Sequence, residues 1–91
     1  MSRVTSAEQS KLLTSFETVR RTLLSEKEEQ HLQRPLAYWA LPNDRRLPLA
    51  LLDRPLKDLL QLQFEDLSAT KGIGQKKMGA MIKLLLRAAE D

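Results

Sequence analysis

The chain has no cysteine, three glycines, four prolines and four aromatic residues among its 91 positions. The absence of cysteine excludes a disulfide framework, a thiol nucleophile and a cysteine-based zinc site. Two valines, two isoleucines and five threonines leave little to build strands from, which argues against a sheet-based fold. No apolar run approaches the roughly 20 residues of a membrane-spanning helix. The N-terminal stretch also lacks the apolar core of a secretory signal, so no membrane partner and a cytoplasmic address are expected. The single histidine, His31, lies in a polar stretch and reads as a solvated surface residue rather than a metal ligand or catalytic base. No metal or cofactor is expected.

Leucine dominates, with 19 copies. It is a strong helix former, and the expected class is all-α. A chain this short buries a small core, and an additional helix or a partner chain would help cover it. Composition divides the chain into an N-terminal helical arm (1–33), a Pro-rich strap (34–55) and a compact helical core (56–91). Charge is unevenly spread over a net +3. The arm is balanced, the strap is basic through Arg34, Arg45, Arg46 and Arg54, and the last 21 residues are basic through Lys71, Lys76, Lys77, Lys83 and Arg87. Local basic excess attracts phosphate, although a solvated helix face has the same composition.

Thr5 to Glu8 fits a capping box opening an amphipathic helix. Leu12, Phe16, Val19 and Leu23 form its stripe, which Leu13 and Leu24 widen. This stripe suits a lid on the chain's own core or, alternatively, a homodimer seam through residues 6–24. Beyond it the helix either runs on to about Gln33 or restarts near Ser25 with a second capping box to Glu28. Arg34-Pro35 ends that element. The strap predicts a helical turn at 35–41, a turn at 42–46 and a short helix with Pro48 in its first position. Tyr38 and Trp39 are expected to anchor the strap on the core. Asp53 is expected to cap a helix bearing Leu56, Leu59 and Leu60, and Phe64 and Leu67 mark a further short helix. A final helix from about Gln75 to Ala89 carries Met78, Met81, Ile82, Leu85 and Leu86 as its stripe.

Between these last two helices lies Lys71-Gly72-Ile73-Gly74-Gln75-Lys76-Lys77. The glycines permit a tight turn with backbone angles that a side chain would penalise, and Ile73 can plug the junction. Amides of the turn and of the new helix form a small positive cup suited to a phosphate oxygen. Lysines in a first helical turn oppose the helix dipole, a conflict that an anionic neighbour resolves.

Leu67, Gly72, Ile73, Gly74, Met81 and Ile82 resemble the helix-hairpin-helix motif, with Thr70 and Met78 departing from the usual apolar residue and alanine. The spacing of Leu56-Lys57-Asp58-Leu59-Leu60, Phe64, Leu67, Thr70 and Gly-Ile-Gly-Gln-Lys-Lys is similar to the C-terminal domain of the bacterial RNA polymerase α subunit. That resemblance implies a compact helical bundle of the SAM-like, α-C-terminal-domain-like type, bacterial origin and a link to transcription. It also implies DNA contact at Gly74 and Lys76.

The Gly72-x-Gly74 pair lacks the third glycine of a dinucleotide fingerprint, and Ala80 stands where a Walker lysine is required. Glycosylase chemistry would need a base-flipping pocket beyond the means of 91 residues. The expectation is therefore a non-catalytic protein that contacts the backbone of duplex DNA without reading sequence. Its contact residues are Lys71, Gly72, Ile73, Gly74, Gln75, Lys76, Lys77 and Lys83, with Arg45, Arg46 and Arg87 as accessories. The alternative is a protein–protein adaptor with a transcription-machinery partner, using the N-terminal helix as its dimer or partner interface.

Overall fold

The computed structural model describes residues 4–91, with side chains from residue 10 onward. The described residues form helices α1 (Val4–Glu26), α2 (Glu29–Leu32), a 3₁₀ turn (Leu36–Trp39), α3 (Leu49–Leu52), α4 (Leu56–Gln61), α5 (Phe64–Ser68) and α6 (Gln75–Glu90). No strand occurs among them, in keeping with the all-α expectation. The Thr5–Glu8 capping box lies outside the described side chains.

Two long helices frame the molecule, and the short ones fill the space between. With 23 residues, α1 runs about 34 Å. Its stripe is an intramolecular lid, since Phe16, Val19 and Leu23 are buried in one cluster with Met78, Met81, Leu84 and Leu85 of α6. That cluster draws on all three stretches of the sequence, including Leu36, Trp39 and Leu51 of the strap. The radius of gyration, 12.6 Å, is close to the roughly 12 Å of a compact chain of this length. Leu13 and Leu24 do not widen the stripe: both are exposed, one helical step beyond the buried line. A homodimer through residues 6–24 would have to use those two, because the stripe itself is occupied.

The helix does not continue to Gln33. It breaks at Lys27–Glu28 and restarts at Glu29. Ser25 caps nothing there; its hydroxyl donates back to Thr22 O inside α1. Arg20 fastens α1 to the far end of α4, donating to Leu62 O at 3.2 Å while paired with Glu17 and lying over the Phe16 ring.

The strap closes through a repeated tripeptide. Arg34-Pro35-Leu36 and Arg54-Pro55-Leu56 lie antiparallel, Leu36 N–H donating to Arg54 O and Leu56 N–H to Arg34 O, both at 3.0 Å. Each proline is extended (ψ 154° and 151°) and starts a helical turn, and each leucine is fully buried. The cap of α4 is therefore Pro55, while Asp53 ends α3. Similarly Pro48 precedes α3 rather than opening it. Of the two expected anchors only Trp39 is buried; Tyr38 is exposed and stacks against the Arg34 guanidinium at 4.3 Å.

On α6 the buried line is Met78, Met81, Ile82, Leu84, Leu85 and Ala88. Leu86, expected inside, is exposed, and Leu84 takes the place. Packing on two sides, by α1 and by the strap, widens the buried arc beyond a single stripe.

Candidate nucleic-acid interface

The hairpin between α5 and α6 is built from its backbone. Gly72 has φ +86°, a region that penalises any side chain. Ile73 then turns inward and is buried, its N–H donating to Thr70 O at 3.0 Å. Its side chain plugs the junction of the two helices. Gly74, by contrast, is extended (φ −105°, ψ −174°), a conformation open to any residue. A methyl group added there would meet no atom within 4 Å. The backbone argument for two special glycines thus holds for Gly72 alone. Gly74 caps α6, whose first internal bond runs from Met78 N to Gly74 O at 2.9 Å, leaving the Lys76 and Lys77 amides without an acceptor inside the helix.

One face of α6 presents Lys76, Gly79, Ala80 and Lys83, at helical spacings of three, one and three. The two small residues leave a hollow between the lysines, and the 44–47 loop closes over it. The resulting cavity, about 200 Å³, is lined by these four residues together with Asp44, Arg45, Arg46 and Leu47. On its other side Gly79 packs near Leu12 of α1; an added Cβ would lie 3.9 Å from Leu12 Cδ2, an ordinary van der Waals contact.

The loop is held by one carboxylate. Asp44 receives both arms of Arg87, Nη1 to Oδ2 at 2.7 Å and Nη2 to Oδ1 at 2.8 Å, plus the Leu41 N–H at 2.7 Å. The Arg87 Nη1 also donates to Trp39 O at 3.0 Å. These hydrogen bonds, the arginine first, hold the Asp44 carboxyl well below the usual carboxylate range and raise Arg87 in return. Two residues on, Arg46 adopts φ +55°, unusual for a side-chain-bearing residue.

The consequence is a separation of cations into spent and unspent. Arg87, expected as an accessory contact, is spent on Asp44 and the strap. Asp44, the only carboxylate among the described residues that line the cavity, is thereby neutralised. Arg45, Arg46, Lys76 and Lys83 are all exposed, and none makes an ion pair or side-chain hydrogen bond to a described residue. Four sequence-predicted cations thus converge on one concavity. Lys71, exposed, and Lys77, half-buried, flank the hairpin without lining it, and Gln75 is half-buried at the helix start.

His31 was misread as solvated. It is half-buried, its Nε2 donating to Ala88 O at 2.8 Å while the ring lies 5.2 Å from that of Trp39. A donor beside the last carbonyls of a helix satisfies groups that have no partner within it. Trp39 completes this end by donating Nε1–H to Asp91 Oδ2 at 3.1 Å. The spacing of Lys76, Lys83 and Arg87 along α6 could have shown that they share a face. The Asp44 partner, 43 residues away, had no local signal.

Among the described residues no helix is long and apolar enough to cross a membrane, and no cluster of three metal-ligating side chains occurs. No family model, curated protein or solved structure matches the chain.

Proposed function

We propose that this chain is a non-catalytic module that grips the phosphate backbone of duplex DNA without reading its sequence, using the α5–α6 hairpin in the manner of a helix-hairpin-helix. The carrying observation is the convergence of Arg45, Arg46, Lys76 and Lys83 on one concavity in which Asp44, the one carboxylate among the described lining residues, is already paired. Four like charges held together repel one another, and an anion spanning them offsets that cost. A phosphodiester backbone is such an anion, and the side-chain-free Gly72 and Gly74 let it approach the hairpin closely. The resemblance to the polymerase α-subunit domain extends the reading to transcription in a bacterial cytoplasm.

A site of this size engages roughly two to four phosphates, which sets a logarithmic salt slope of about −2 to −4 and an affinity of roughly 10⁻⁴ to 10⁻⁶ M. Fluorescence anisotropy of a labelled duplex across a salt series measures both. Lys76→Glu combined with Lys83→Glu reverses half the cavity's charge and is expected to weaken binding by more than about tenfold, with circular dichroism unchanged. Undiminished binding by that variant would place the contact elsewhere.

A further inference from the structure

The molecule has a second concave surface, on the opposite side of Lys76. Two adjoining hollows, about 410 and 260 Å³, share Leu12 and Gln75 and together form a trough between α1 and the hairpin. We propose that this trough docks an acidic peptide segment carrying a large apolar anchor.

Its inner part is walled by Phe64, Ile73 and Met78, which belong to the hydrophobic core yet border the hollow, together with the polar Ser68 and Gln75. Its outer part is bordered by half-buried Leu12 and by Lys11 and Lys76, whose aliphatic stems add apolar surface below their charged heads. Among the described residues neither hollow has a carboxylate in its lining. Lys11 and Lys76 are both exposed, and no described acid pairs with either. An apolar floor beneath two exposed lysines fits an apolar side chain flanked by carboxylates: the anchor covers the floor and the acids meet the lysines. A nucleic-acid backbone lacks the anchor, and an apolar chain alone brings no charge to the lysines.

Gly74 supports the same conclusion. It borders the trough, yet neither its backbone angles nor its neighbours require glycine. Its missing side chain keeps the inner hollow open to a visitor. The trough shares Lys76 and Gly74 with the DNA reading, whereas Lys11 and Leu12 take no part in the cation cavity and so separate the two.

The test titrates ¹⁵N-labelled protein, without DNA, with a synthetic 15-residue Glu/Ala peptide bearing Phe and Leu four positions apart. Shifts should centre on Leu12, Ile73, Gly74 and Met78. Replacing both anchors by alanine should weaken binding at least about tenfold, as removal of a buried anchor does. Gly74→Leu, which fills the trough without backbone strain, should do the same at an unchanged melting temperature. Lys11→Glu, remote from the hairpin turn, should weaken binding a fewfold. Equal binding of the alanine-anchor peptide would reduce the site to charge alone and overturn the proposal. So would peptide binding undiminished in both variants, the same shifts from laurate but not from the peptide, or the same shifts arising from protein concentration alone.

Discussion

The two ends of α6 carry similar side chains and put them to opposite uses. At the C-terminal end every notable polar group is engaged within the chain: Arg87 with Asp44 and Trp39 O, His31 with Ala88 O, and the Trp39 indole with Asp91. At the N-terminal end Lys76 and Lys83 share a face with Gly79 and Ala80, and they meet Arg45 and Arg46 with no acid to spare. A cation's role here is set by its partner rather than by its type. The engaged end also builds the other, because the Arg87–Asp44 clamp holds the start of the loop that carries Arg45 and Arg46 to the lysines.

Four variants and a titration break the comparison apart. Trp39→Ala removes the centre of the engaged end and should cost about 3–5 kcal/mol, a large share of the stability of a domain this small. Urea unfolding measures it, and a loss below about 1 kcal/mol would mean that this end is not structural. At the hairpin, Gly72→Ala places a Cβ at φ +86° and should cost about 1–2 kcal/mol. Gly74→Ala should stay within about 0.5 kcal/mol, as for surface substitutions free of strain. Equal costs for the two glycines would contradict the backbone assigned to them.

The smallest effect is acid sensitivity. Because the Asp44 carboxyl is depressed by Arg87, the clamp contributes fully above the ordinary aspartate value of about 3.9 and fades as pH falls below it. The cations at the other end keep their charge over that range. Carboxyl ¹³C shifts should show Asp44 ionised below the usual range, and Arg87→Met should bring its midpoint back up. A normal midpoint in the unaltered protein would dissolve the clamp.

Much of the helical framework was legible in the sequence because it rests on local periodicity. Phe16, Val19 and Leu23 could be assigned to a buried stripe from spacing alone, and Phe64 and Leu67 likewise. The misplacements share a cause. Leu13, Leu24 and Leu86 have the composition of core residues but lie off the arc that tertiary packing chose, and Leu84 lies on it. His31 and Arg87 were misjudged because their partners, Ala88 and Asp44, are 57 and 43 residues distant and invisible to any window. The pairing of two Arg-Pro-Leu segments was written in the sequence as a repeat of three letters, too short to stand out. At the candidate site the sequence indicated the hairpin lysines and the nearby arginines. The cavity that joins Lys76 and Lys83 to Arg45 and Arg46 depends on the clamp, and so required the fold.

The central claim is that the unengaged end of α6 is kept cationic for a phosphate backbone. An NMR titration of the labelled protein with a short DNA duplex at low salt tests it most directly. The account predicts salt-sensitive shifts at Arg45, Arg46, Gly72, Gly74, Lys76 and Lys83, with His31, Trp39 and Arg87 unmoved. A flat response at millimolar duplex, or shifts confined to the engaged end, would contradict it.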